Sequence, residues 1–172
     1  MSGLGRNLTS AAIVGVVVAG CGGQSLSDAA RDYRRQLRRG ATVGELAFPR
    51  LHAAVRVRNG FDQAAIDRGP GWFSGSYLPG EGRLIYVAGH RQTHGGPFRR
   101  LGELRRGDRV VFTTPYATAT YVVARRERIS ERRRSILLGG ATEELRLQAS
   151  TIPPSHDRLI VFARLGEIRP RD

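Results

Sequence analysis

Residues 83–101 read RLIYVAGHRQTHGGPFRRL. Leu84 to Ala88 is apolar without interruption and stops at Gly89, the pattern of a strand buried on both faces. His90 and Arg91 emerge at the strand end, where the rim of a β-barrel holds functional groups. His94 follows in a Gly-Gly-Pro loop and reads as a loop residue, because no second His/Asp cluster has metal-ligand spacing.

Outward from this stretch, periodicity predicts a strand at Arg83–Ala88 itself and seven more, at Glu45–Phe48, Ala53–Val57, Arg109–Thr114, Ala119–Ala124, Ser135–Leu138, Leu145–Ser150 and Leu159–Ala163. Turn signals separate them: RNG at 58–60, GPG at 69–71, PGEG at 79–82, RRGD at 105–108 and TPY at 114–116. DQAAIDRGP and FRRLGELRRGD each suggest one short helical turn, and Trp72 and Phe73 read as core or rim packing. The expected fold is mainly β, an eight-stranded barrel or sandwich with short helices.

A second stretch, LRLQASTIPPSHDR at 145–158, alternates into Ser150 and Thr151, breaks at Pro153-Pro154 and reopens with Arg158 ahead of LIVFA. His156, just before that arginine, reads as exposed loop.

Composition narrows the function classes. The net charge is +13, yet all 28 basic residues are arginine and none is lysine. They are scattered over strands, turns and tail without an RNA-binding aromatic signature or zinc-finger spacing, so nucleic acid is not an expected partner. A single cysteine, Cys21, excludes an internal disulfide framework and a Cys-based zinc site. With no P-loop, dinucleotide fingerprint or EF-hand loop, no cofactor and no metal are expected.

The N-terminus reads as an address. Leu8 to Gly20 carries no charge and is too short to span a bilayer core comfortably, as in a secretory signal peptide or short anchor. Val18-Ala19-Gly20-Cys21 resembles the lipobox of bacterial lipoproteins, which makes Cys21 a lipidation candidate. The chain divides into an export or anchor segment at 1–21, an Arg-rich linker or short helix at 22–43 near anionic headgroups, and a barrel domain at 44–172. Arg31, Arg34, Arg35, Arg38 and Arg39 just past the apolar segment run against the positive-inside rule, which long domains override. The expected location is the outer face of the cell membrane.

Taken together, FPRL at 48–51, RGPGWF at 68–73, the block from AGHR through GGPFRRL to RRGD, and RLIVFARL at 158–165 resemble the bacterial sortases, cysteine transpeptidases of the Gram-positive envelope, and are most similar to their class D and E members. The resemblance implies an eight-stranded closed β-barrel whose site gathers a His, a Cys and an Arg. It also implies the chemistry. The cysteine attacks the threonine carbonyl of a C-terminal sorting signal, forms a thioester and releases the glycine end, and a cell-wall or pilin amine resolves it. His90 matches the motif histidine, a general acid/base, and Arg158 the arginine that binds substrate and the developing oxyanion. Class D and E members are generally not tied to calcium.

The cysteine is missing from its place. Family members end the seventh strand in L-x-L-T-A-C or a near variant, and here Leu145, Leu147 and Ala149 fall on that pattern and set Ser150 on the cysteine. Arg158 then follows after eight residues, one short of the family spacing. An alternative register sets Thr151, a substrate-binding candidate, on the motif threonine and Ile152 on the cysteine, but keeps less of the pattern. A serine hydroxyl stays protonated at neutral pH, whereas a thiol with a pKa of about 8.5 is readily ionised beside a histidine. Serine would need His90 to take its proton and a third group, Asp67 or Asp157, to orient the imidazole. Two readings stay open: slow serine-type acyl transfer or hydrolysis by Ser150, His90 and Arg158, or envelope binding without chemistry.

Overall fold

The computed structural model describes residues 24–130, 132–150 and 156–171. Its core is a closed barrel of β1 (Thr42–Phe48), β2 (Ala53–Asn59), β3 (Gly71–Trp72), β4 (Leu84–Gly89), β5 (Arg109–Thr113), β6 (Ala117–Ser130), β7 (Glu144–Ser150) and β8 (Asp157–Pro170). Around the barrel the order is β1-β2-β3-β4-β7-β8-β6-β5, with β5 pairing back onto β1. Closure pairs most strands on both sides, while the far ends of β6 and β8, beyond Val122 and Arg164, pair chiefly with each other. Only β2/β3 and β4/β7 pair in parallel among the described strands.

Alternation fills the interior. Ile85 and Val87 of β4, Leu145, Leu147 and Ala149 of β7, and Val161 and Ala163 of β8 are all fully buried in one core. β4 is buried along its whole length because its outer face is covered as well. Phe61 packs its ring against Tyr86 at 5.7 Å, and the Tyr86 hydroxyl donates to Gln148 at 2.6 Å. Beside them on the outer wall, Ile129, Ile160 and Phe162 form a second apolar cluster under Ile136.

Eight strands are found as expected, but one is exchanged. The run Ser135–Leu138 is not a strand; Arg134–Leu137 forms a 3-10 turn. Arg146 donates to the carbonyls of Ile136 and Leu138, which takes up backbone acceptors a strand would have paired. The eighth strand is β3, two residues long, with Gly71 and Trp72 opposite Arg58 and Asn59 on one side and Ala88 and Val87 on the other. β6 and β8 run well past their expected limits and pair with each other from Ala117–Pro170 to Ser130–Asp157.

Upstream, the Arg-rich stretch folds into α1 (Leu26–Gln36), whose start is capped by Ser25 accepting from the Asp28 amide at 3.1 Å. The helix docks on the barrel. Ala30 is fully buried, and the Tyr33 hydroxyl donates to the Thr42 and Val43 carbonyls at 3.0 Å each. Arg34 pairs with Glu81 at 3.0 Å, and the Asn59 amide donates to the Leu37 and Arg38 carbonyls at 3.1 and 3.2 Å. Among the described residues no helix is long and apolar enough to cross a membrane. The expected export segment and Cys21 lie outside the described residues.

Candidate active site

Strand register carries the sequence candidates to one barrel end. In the parallel β4/β7 pair Gly89 is opposite Ala149, so His90 and Ser150 each follow a matched rung. In the antiparallel β7/β8 pair Ser150 is itself opposite Arg158. Three neighbouring strands, spaced about 4.8 Å apart, therefore bring positions 90, 150 and 158 together. Thr151 and Ile152 lie outside the described residues.

The local sequence around His90 explains its placement. Phe98, almost fully buried, folds back over the end of β4 and donates its amide to the His90 carbonyl at 2.9 Å. A side chain at Gly89 would start 2.9 Å from the Phe98 ring, so only glycine admits it there. Gly96 turns the intervening loop with φ of +56°, and a Cβ on it would lie 2.7 Å from the Arg91 carbonyl.

The imidazole is held from below by α2 (Gln63–Ile66), whose first turn is capped by Asp62 and whose C-cap residue is Asp67. His90 Nε2 lies 2.7 Å from Asp67 Oδ1, and the His90 side chain is 15% exposed. Gln63, one helical turn before Asp67, donates to the same oxygen at 2.6 Å. The hydrogen bond from His90, reinforced by Gln63 and the neighbouring imidazoles, holds the Asp67 carboxyl below the usual range against the opposing effect of desolvation. Of the two carboxylates considered as orienters, it is Asp67 that meets His90. Asp157 instead opens β8 opposite Ser130.

His94 is more than a bystander in its loop. Its ring stacks on His90 at 4.6 Å between centroids and 25° between planes, and its Nδ1 lies 3.7 Å from Asp67 Oδ1. The sequence offered no metal-ligand spacing, yet Asp67, His90 and His94 form a three-donor group because Asp67 arrives from another segment of the chain.

Arg158 is half-buried and its Nη1 donates to the Asp157 carbonyl at 3.1 Å. It borders a cavity of about 530 Å³ on the outer wall, lined also by Phe61, Tyr86, Ile129, Ile136 and Gln148. Ser150 closes β7 two residues beyond Gln148. Phe61, Tyr86 and Gln148 escaped the sequence reading because each looks like ordinary packing in its own segment. Gln63 carried a signal, its four-residue spacing from Asp67.

The family model described as the sortase domain matches residues 46–166. The chain belongs to the sortase family. It is 33% identical to sortase D of Bacillus subtilis (strain 168) over 98 residues, 57% of this chain and 48% of that protein, so it spans about half the length of this curated relative. The solved structure of sortase E from Streptomyces avermitilis superposes with a TM-score of 0.69 at 27% identity, covering 77% of this chain and 93% of that one. Sortase E1 from Streptomyces coelicolor, solved with a tripeptide in its active site, gives a TM-score of 0.69 at 26% identity and covers 77% and 92%. The matched sortase domain takes in β4, which ends just before His90, together with β7 and most of β8, which carry Ser150 and Arg158.

Proposed function

We propose that this chain is a cell-envelope sortase homologue that takes C-terminal sorting signals into the outer-wall groove and transfers their acyl group slowly, because Ser150 stands in the nucleophile's place. The observation that supports the reading is the register that aligns positions 90, 150 and 158 on adjacent strands, with His90 backed by Asp67.

With Nε2–H donated to the Asp67 carboxylate, Nδ1 is the nitrogen left to exchange a proton. The Ser150 hydroxyl attacks the threonine carbonyl carbon and passes its proton to His90. The tetrahedral oxyanion is met by the Arg158 guanidinium, whose charge is permanent. The C–N bond to glycine then breaks, His90 returns the proton to the departing amine, and an ester remains on Ser150. An acceptor amine from the cell wall or a pilin, or water, resolves that ester. Loss of the thiol slows the first step by several orders of magnitude, since an alkoxide forms only as its proton leaves.

The cavity beside Arg158 also supports a second reading, binding of sorting signals without turnover. Incubation of the full chain with a peptide carrying a Thr-Gly signal separates the two. Slow release of the glycine fragment with an ester at Ser150, seen by mass spectrometry, is expected, and Ser150→Cys should raise turnover at least about 100-fold. No adduct and no gain from the cysteine would sink the catalytic reading. Peptide affinity that falls about tenfold in Arg158→Ala supports the groove in either case, and unchanged affinity counts against it.

Export by residues 1–21 and anchoring through Cys21 complete the proposal. The mass of the membrane-extracted chain tests it, since a lipidated chain begins at Cys21 and carries the added acyl mass.

A further inference from the structure

We propose that Asp67, His90 and His94 form a binding site for a zinc-type divalent cation, and that its occupation takes His90 out of proton transfer. The consequence for proton transfer rests on the proposed role of His90; the site itself does not.

The donor atoms come from three places in the chain, the C-cap of α2, the end of β4 and the loop beyond it, and all lie within 4.8 Å of one another. Two imidazole nitrogens and one carboxylate oxygen are a donor set that suits zinc and its first-row neighbours, whereas calcium and magnesium favour all-oxygen sites. Zinc bonds of about 2.0–2.2 Å in tetrahedral geometry put neighbouring ligand atoms about 3.3–3.5 Å apart. Asp67 Oδ1 lies 2.7 Å from His90 Nε2 and 3.7 Å from His94 Nδ1, on either side of that value. A cation can replace the hydrogen now shared by Asp67 and His90 once the His94 ring turns out of its stack, so that Nδ1, now within 4.8 Å of His90 Nε2, also points at it.

The surroundings hold these groups ready. Gln63 donates to Asp67 Oδ1 at 2.6 Å and fixes the carboxylate's orientation, the task that outer-sphere hydrogen bonds perform at metal sites. His94 adopts a left-handed φ of +51°, uncommon for a residue with a side chain, and Gly95 and Gly96 follow with φ of +78° and +56°. That turn brings the His94 ring back over His90. The mouth is open: the side chains of His94 and Asp67 are 45% and 33% exposed, leaving room for water as a fourth ligand. Bound to His90 Nε2, the cation takes that nitrogen's lone pair and the ring hydrogen moves to Nδ1, which can then no longer accept the Ser150 proton, so metal binding and general-base work by His90 exclude each other.

Titration of the full chain with zinc chloride by calorimetry, and with cobalt(II) followed by its visible absorption, tests the site without reference to activity. One zinc per chain is expected, with a cobalt spectrum of tetrahedral intensity. His94→Ala lies on an exposed loop and should weaken zinc binding at least about 100-fold, and Asp67→Ala should do likewise. Fewer than half an equivalent of zinc, or affinity in His94→Ala within threefold of the parent, overturns the site. The ratio of peptide turnover with and without zinc then tests the consequence. A ratio well below one in the parent that returns toward one in His94→Ala supports it, and a ratio of one in a parent shown to hold zinc overturns it. A chain that binds zinc but never turns over peptide keeps the site and loses the catalytic reading of His90.

Discussion

Asp67 and His90 share one hydrogen, and the strength of that contact depends on pH. The Asp67 carboxyl titrates below its ordinary value of about 3.9 because His90 and Gln63 stabilise its charged form. A depressed carboxylate pKa adds stability that is full above the unfolded-state value and is lost as pH falls through the folded one. The melting temperature of the parent should therefore exceed that of Asp67→Asn at pH 6, and the gap should close in acid below about pH 4. A gap unchanged down to pH 3 would contradict the assignment. At this scale local motifs single out His90 and Arg158, whereas Asp67 stands level with Asp157 in the sequence. Nothing in a linear reading brings a helix C-cap 23 residues upstream under a histidine.

Element by element, β4 and β7 were legible because each alternates or runs apolar for long enough to declare its period. β3 was not. Its two residues are held by neighbours, β2 in parallel and β4 antiparallel, and not by any propensity of their own. Gly71 is essential to that packing: a Cβ there would lie 2.1 Å from the Gly60 carbonyl oxygen. Gly71→Ala should cost about 1–3 kcal/mol, read as a lower urea midpoint with unchanged slope. On β7, Leu147 is fully buried, and Leu147→Ala should cost about 2–5 kcal/mol. The opposite error at Ser135–Leu138 has the same origin, since an apolar run becomes a strand only where a partner offers its backbone.

For the molecule as a whole, α1 is part of the folded unit. Tyr33, Arg34 and the carbonyls at the helix end join it to β1, the 79–82 turn and Asn59. A chain starting at residue 40 should unfold at least about 2 kcal/mol more easily than one starting at residue 24, because the apolar contacts that Ala30, Tyr33 and Leu37 make on folding are absent and the core surface they cover is exposed. Equal denaturation midpoints for the two would show that the helix contributes nothing. The same docking fixes where the arginines of α1 stand relative to the barrel, which no stretch of sequence could specify.

The sequence by itself determined that this is a mainly β protein of many short strands, that it carries a histidine and an arginine at strand ends, and that its one cysteine lies far from both in the chain. These are local properties, written in periodicity, turn residues and motif spacing. Only the tertiary structure decided that Ser150 lies opposite Arg158 while Gly89, just before His90, lies opposite Ala149, that Asp67 meets the imidazole and that His94 stacks upon it. Register and loop approach arise from long-range pairing: with β4 buried on both faces inside a closed barrel, a slip of one residue would turn core side chains outward, and no local stretch of sequence encodes that constraint.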